Sequence, residues 1–461
     1  MKNLETSMRG AAAFAVTFLL VAGATAVAAN WPQFRGPHFD GSTDEKGLPA
    51  KIGPSDNVSW TVDMPGRGAG TPAVWDDRVF VSSEDKATGE IVALCLDART
   101  GAQLWRRTCG RMRKDRRGNG TASPSPVSDG RAVYFMFGSG GLVAYDFAGQ
   151  RLWARELEKE FGVFMIQYRY SSSPLLYDGR LYVPVMQSEE PNAYSLGGPD
   201  VARSGPLESF ILAIDAKTGR DVWKTVRPSD ATGESRESYS TPTPYTHGGR
   251  TEILFAAAEF ATGHDARTGR ELWRWEFTPH RRKHCKWSAS CVVARDDLVY
   301  VVRPKRGGMY ALKGGASGHV GDEILAWRYD RYTPYVSSPL LYRGRLYVVQ
   351  GDNKLVSCLD PRTGEVKWRE RPGFKGVIRS SPIGADGKIY LISQNGEVAV
   401  MAAGDTFRVL CKADVGGAPC QASVVAASGR VYIRTADKLH CFASTGGGRR
   451  VSASPSFARV R

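Results

Sequence analysis

Residues 213–223 read AIDAKTGRDVW, and nearly the same run returns as CLDARTGAQLW (95–105), GHDARTGRELW (263–273) and CLDPRTGEVKW (358–368). Each copy is an apolar stretch, a polar turn with glycine, and a second stretch ending in tryptophan. In such a hairpin the Asp and Thr side chains bond turn backbone, while Gly takes a left-handed conformation that a residue with a Cβ resists. Taking the Asp, or the residue aligned with it, gives positions 97, 146, 215, 265, 313, 360, 402 and 443, spaced 41 to 69 residues apart. Most of these spacings match the period of four-stranded propeller blades.

A second phrase precedes each motif: Gly-Thr-Pro-Ala-Val (70–74), Ser-Pro-Ser-Pro-Val (123–127), Ser-Ser-Ser-Pro-Leu (171–175), Ser-Thr-Pro-Thr-Pro (240–244), Ser-Ser-Pro-Leu-Leu (337–341) and Ser-Ser-Pro-Ile (380–383). A turn and an alternating strand follow, as in DGRLYVPV (178–185) and RGRLYVVQ (343–350). One unit is therefore strand A at the Ser-Pro phrase, strand B at the Leu-Tyr-Val phrase, strand C ending at the Asp, and strand D carrying the Trp. The eighth unit lacks a Trp strand, and Asn57-Val-Ser-Trp60 near the N-terminus supplies one. The expected fold is all-β: an eight-bladed propeller of four-stranded antiparallel blades, its ring closed by an N-terminal strand. Asp97, Gly101 and Trp105, Asp215, Gly219 and Trp223, Asp265, Gly269 and Trp273, and Asp360, Gly364 and Trp368, with Trp60, Trp153 and Trp327, are read as blade-docking residues and not as catalytic ones.

With 42% hydrophobic and 24% charged residues, the chain is ordinary globular material, which excludes disordered and fibrous classes. Residues 1–29 carry Lys2 and Arg9, an apolar run and a small-residue Ala26-Val27-Ala28 pattern, and read as a secretory signal peptide. The expected organisation is then an N-terminal extension over 30–56, the propeller over 57–445, and a basic, disordered tail over 446–461. No later run approaches about 18 apolar residues, so no membrane span is expected after leader removal. Cys95, Cys358 and Cys441 recur at one repeat position and read as small buried residues; Cys411 with Cys420 and Cys285 with Cys291 are the pairs nearest in sequence.

The A-x-D-x-x-T-G-x-x-x-W phrase with its SSP-type strands resembles the tryptophan-docking repeat of pyrroloquinoline quinone (PQQ) quinoprotein propellers and of BamB-like outer-membrane assembly proteins. The opening Asn30-Trp-Pro-Gln-Phe-Arg-Gly-Pro37 with Gly41, and a Gly-Gly insertion at 313–323, look like exported PQQ-like propeller proteins of planctomycete-type bacteria. The resemblance covers the mature chain and implies two functions: a PQQ- and calcium-dependent alcohol or sugar dehydrogenase, or a cofactor-free scaffold. The dehydrogenases that it resembles carry a vicinal disulfide and a calcium site of Glu, Asn and Asp. This chain has no adjacent cysteines, and no segment matches that calcium set; Glu189, Glu190 and Asp200 are free carboxylates in an insert and read as a solvated loop. No cofactor is required on this reading, and no catalytic or metal-binding residue is nominated. The ligand-like spacing of His280 and His284 is opposed by the cations between them.

The formal charge of +15 finds its place in the loops. Connections from D to A and from B to C share one face of a propeller. The first D-to-A connection, RRTCGRMRKDRRGNG (106–120), has seven cations against one acid. Cations and aromatics recur together near strand A starts, and mark a binding face of Arg113, Arg116, Arg117, Tyr168, Arg169, Tyr170, Tyr239, Arg281, Arg282, Lys286, Trp287, Tyr332, Tyr335 and Arg379. Such a face suits a protein or an anionic envelope polymer. The leader argues for a periplasmic or secreted location, and against nucleic acid as partner despite the basic charge. The leading expectation is an exported, non-catalytic binding or scaffold module, with a PQQ-dependent dehydrogenase as the alternative.

Overall fold

Eight sheets, each built on four antiparallel strands, close into a ring, and in seven of them the strands run in chain order from the inside outward. This computed structural model describes residues 29–112, 119–164, 168–187, 208–231, 233–257, 259–276, 288–303 and 307–444. Residues 1–28 of the expected leader, the expected tail over 446–461, Glu189, Glu190 and Asp200, and His280 and His284 lie outside the described residues. Among those described, no helix is long and apolar enough to cross a membrane.

Blade 1 is typical: Ala73–Trp75, Arg78–Asp85, Glu90–Asp97 and Gln103–Arg111 form strands A to D. Strand A begins just after the Ser-Pro or Thr-Pro step that leads into it, as in Leu175–Tyr177 and Ile383–Ala385, so that step lies ahead of the strand and the rest of the phrase within it. The eighth blade takes Val425–Ala427, Arg430–Arg434 and Lys438–Ala443 from the end of the chain and Val58–Asp63 from its beginning. Trp60 pairs there with Cys441, as Trp105 pairs with Cys95 and Trp368 with Cys358. The three cysteines are fully buried, and burial pushes their thiols up to about 12. All seven described cysteines are free; Cys285 is outside the described residues.

The turn chemistry is local. Asp97 Oδ1 accepts from the Arg99 and Thr100 amides (2.9 and 2.8 Å) and from the Thr100 hydroxyl (2.9 Å). Gly101 follows at φ 75°, and a Cβ there would lie 2.8 Å from the Trp60 ring of the neighbouring blade. Glycine is thus required twice, by the turn and by the indole packed on it. The indole Nε1 of Trp60 donates to the Ala98 carbonyl (3.1 Å), Trp153 to Ala216 (2.9 Å), Trp223 to Ala266 (3.2 Å), Trp327 to Pro361 (2.9 Å) and Trp368 to Gly404 (2.9 Å). Each bond crosses to the next blade.

Two blades depart from the expectation of one docked indole per blade. Blade 7 has Cys411 opposite Val400 where the others have tryptophan, and the buried Ile52 carbonyl approaches its thiol at 3.5 Å. In blade 4 Trp273 donates to Glu252 Oε2 (2.6 Å) of its own sheet. The turn it would dock on is replaced by the 313–323 insertion, from which Gly318–Val320 pairs in parallel with Trp273–Trp275 as a fifth strand.

His264, in strand C of blade 4, has no exposure, and its Nδ1 lies 3.2 Å from the Gly269 carbonyl. Burial, with the Arg227 guanidinium nearby, pulls it down to about 4, and burial with Lys438 nearby does the same to His440. The unfolded chain binds a proton below about 6.5 that the folded one refuses. The histidine contribution to stability is therefore expected to fall as pH drops from about 6.5 toward about 4 and to level off below that, where the carboxylates held low in the fold, such as Asp265 and Glu271, begin to lose theirs. Urea midpoints measured across this range should show the decline in the native protein and a flatter profile in His264→Gln; equal profiles would remove His264 as the cause.

Candidate functional site

The residue immediately before each strand A proline is held extended, because the proline ring excludes the helical region for its neighbour. That residue is Thr71, Ser125, Ser173, Thr241, Ser338 or Ser381 in six blades, and Cys291 and Ser423 take the same place where valine replaces proline. Its backbone amide donates to the side chain of its counterpart in the next blade. Thr71 bonds Ser125 (2.9 Å), Ser125 bonds Ser173 (2.9 Å), Ser173 bonds Thr241 (3.1 Å) and Thr241 bonds the Cys291 sulfur (3.2 Å). Cys291 continues to Ser338 (2.9 Å), Ser338 to Ser381 (2.9 Å), Ser381 to Ser423 (3.0 Å), and Ser423 returns to Thr71 (3.1 Å). The circuit closes through all eight blades. The sequence displays the repeated Ser-Pro phrase, but only the ring reveals that its hydroxyls hold the blades together.

All of these except Cys291 line an axial funnel of about 420 Å³ that opens on the face carrying the D-to-A and B-to-C connections. Phe34 is part of its lining and belongs to the N-terminal extension, which crosses the opposite face as a strap. Trp31 exchanges two backbone bonds with Val74 (2.9 and 2.8 Å), the Pro32 carbonyl accepts from Ser128 (2.9 Å), and Gln33 grips Leu176 through both amide atoms (3.0 and 3.2 Å). Farther along, Asp40 pairs with Arg295 and accepts from the Leu341 amide (3.3 Å), Gly41 and Thr43 exchange bonds with Gly384 (2.9 and 3.0 Å), and Glu45 accepts from the Ser428 amide (2.7 Å). Arg35 is buried at the crossing and donates to the carbonyls of Pro382 (3.1 Å), Asp40 (2.8 Å) and Pro339. The strap thereby closes the channel below the funnel.

The sequence-chosen face is divided by the fold. Tyr168, Tyr239, Tyr335 and Arg379 line the funnel. Tyr239 donates its hydroxyl to Glu237 (2.7 Å) and accepts from the Tyr168 amide (3.0 Å), while Arg379 donates to Asp352 (2.7 Å) and lies 5.7 Å from the centre of the Tyr335 ring. Tyr332 is exposed outside the funnel, with the Arg369 guanidinium 4.9 Å from its ring centre. Arg169 and Tyr170 correct the sequence reading. Both are buried: Arg169 donates to the Thr121 hydroxyl (2.7 Å) and pairs with buried Glu84 (4.0 Å), and Tyr170 packs against Phe164. Arg169 has a left-handed backbone (φ 67°) in a loop without strand alternation, so Tyr168 faces the funnel while Arg169 and Tyr170 are both turned into the protein. Arg106 and Arg107 belong to strand D and not to the loop after it. Arg113, Arg116, Arg117, Arg281, Arg282, Lys286 and Trp287 lie outside the described residues.

Among the described residues, the funnel lining offers hydroxyls, the amides of Asn119, Gln394 and Gln421, aromatic rings and one guanidinium, but no carboxylate and no histidine. No described cluster of His, Cys, Asp and Glu could hold a metal ion. Calcium takes six to eight oxygen ligands with carboxylates prominent among them, so this lining does not fit a calcium-bound quinone.

Residues 43–190 and 257–458 match the family described as outer membrane protein assembly factor BamB. The chain belongs to this family. Solved structures share the fold: BamB from Moraxella catarrhalis (TM-score 0.56, 13% identity, 85% of this chain and 98% of that one) and a quinohemoprotein alcohol dehydrogenase from Comamonas testosteroni (0.65, 12%, 94% and 83%). Curated relatives are similar over part of the sequence. A polyvinylalcohol dehydrogenase from a Pseudomonas species is 28% identical over 180 residues, covering 39% of this chain and 26% of that one. The dehydrogenase subunit of a quinone alcohol dehydrogenase from Komagataeibacter europaeus is 31% identical over 180 residues, covering 36% and 23%. The chain thus spans about a quarter of the length of the curated relatives it matches.

Proposed function

We propose that the protein is an exported, non-catalytic member of the BamB family that holds a protein or an anionic envelope ligand at its funnel face. The observation that carries this reading is the described funnel lining, which has hydrogen-bond donors and a guanidinium but no carboxylate or histidine to move a proton. Such a lining favours a ligand rich in acceptors, and tyrosine walls add contact area at low entropic cost. The partial similarity to quinone alcohol dehydrogenases favours a second reading, a PQQ-dependent oxidoreductase.

Calorimetric titration of the purified protein with PQQ and calcium chloride, followed by a dye-linked alcohol oxidation assay, separates the two. No heat of binding and no turnover is the expected result. Calcium-dependent PQQ binding with turnover would replace the scaffold reading by the dehydrogenase one.

A further inference from the structure

Strand D is the outer edge of each blade. In blades 1, 2 and 3, where it is Gln103–Arg111, Arg151–Glu156 and Asp221–Val226, no described strand pairs with its outer side. Such an edge presents free backbone donors and acceptors to any chain that can extend beside it. The residue before the docking tryptophan is Leu104, Leu152, Val222 and Leu272 in blades 1 to 4, on the sheet face opposite the indole.

Blade 4 differs from its three neighbours. There the Gly318–Val320 strand lies along Trp273–Trp275, with Trp273 opposite Gly318 and Trp275 opposite Val320. Leu272 is 9% exposed, whereas Leu104, Leu152 and Val222 are 44%, 51% and 40% exposed. The added segment reads Gly-His-Val-Gly-Asp-Glu over 318–323: Val320 packs against the blade's core, and two acids follow.

We infer that the rim of blades 1 to 3 takes an extended aliphatic and acidic segment of a partner protein as an added parallel strand, as blade 4 takes one from its own chain. Charge selects the occupant. Strand D of blade 1 carries Arg106, Arg107 and Arg111 and no acid, that of blade 2 carries Arg151 and Arg155 against Glu156, and that of blade 3 carries Lys224 against Asp221. Arg106 is paired with Asp85 and Glu90, and Arg155 with Glu160 and Asp221, whereas Arg107, Arg111 and Arg151 have no acid partner among the described residues, so the selection by charge is strongest at blades 1 and 2. Edge cations of this kind oppose pairing with a second copy of the same rim, and they attract a segment that carries acids. Parallel addition supplies main-chain bonds for affinity, and the exposed Leu or Val supplies the contact that fixes position.

The test is hydrogen exchange of the full chain, read by mass spectrometry, with the synthetic peptide ASGHVGDEI (316–324) at up to millimolar concentration. A control peptide has lysine at both acidic positions. Slower exchange is expected in 103–111, 151–156 or 221–226 with the acidic peptide only. The variant Leu104→Ser/Leu152→Ser/Val222→Ser alters exposed positions, so its melting temperature should match the parent's. It should bind roughly tenfold more weakly, the effect of losing one buried aliphatic contact. Protection confined to blade 4, no protection in the three strands, or equal protection in the variant or by the lysine peptide would overturn the proposal.

Discussion

Trp105→Ala is expected to lower the free energy of unfolding by about 3–5 kcal/mol, the range for deleting a large buried aromatic. Trp105 is 6% exposed and reaches from blade 1 to blade 2, where its Nε1 donates to the Phe147 carbonyl (3.1 Å). Its ring packs on the Gly149 turn, where a Cβ would lie 2.9 Å from the indole, and lies near Tyr145 (5.7 Å between ring centres) and Phe80 (6.1 Å). Removing it leaves a cavity between two blades and one carbonyl without its donor. Because a propeller is a ring of similar units, the loss should also appear as earlier melting of the blade 1 to blade 2 seam. Guanidinium unfolding gives the magnitude, and hydrogen exchange across 103–111 and 141–156 gives the place. Trp105→Phe, which keeps a ring but loses the indole donor, should cost less than half as much. A loss under about 1 kcal/mol in the alanine variant would mean the docked indole is dispensable, contrary to the packing described here.

Arg35→Leu should be comparably costly, at about 3–5 kcal/mol, because three buried carbonyls lose their donor at roughly 1–3 kcal/mol each. The guanidinium is 3% exposed and serves carbonyls of the strap and of blades 6 and 7 at once. Burial lowers its pKa to about 10, partly offset by Cys291 and Asp40, so it remains charged at neutral pH. Leucine fills part of the volume and satisfies none of the carbonyls. Lysine carries the charge but lacks the planar fork, so Arg35→Lys should recover little. A Cβ at Gly41 would lie 2.2 Å from Nη2 of Arg35, which ties the glycine of the strap to the same arginine. Thermal melting measures the loss, and limited proteolysis should show faster cleavage within 30–56. Unchanged proteolysis with a lowered melting temperature would place the damage in the blades and not in the strap.

The candidate site was partly legible before folding. Tyr168, Tyr239, Tyr335 and Arg379 sit just before a strand A, and the topology delivers that stretch of every blade to the funnel. Which of two adjacent residues faces the funnel was not legible, because the connecting loops have no sheet register to fix alternation, and Arg169 and Tyr170 turn inward as a result. The tryptophan slot of blade 7 was also hidden. A cysteine with a strap residue does there what an indole does elsewhere.

The sequence by itself determined the blade. Asp, Thr and Gly act on backbone two to four residues away, and strands C and D pair across that short turn, so these bonds form wherever that string of residues occurs. The repeat count and the displaced eighth strand follow from arithmetic on the same string. Only the tertiary structure decided the hydroxyl circuit, the strap and the fifth strand of blade 4. The circuit closes between Thr71 and Ser423, 352 residues apart, and Arg35 meets the Pro382 carbonyl across 347. No local propensity encodes such contacts; they exist because a closed ring brings its first and last blades together, and because the open end of its channel leaves buried carbonyls that some side chain must satisfy.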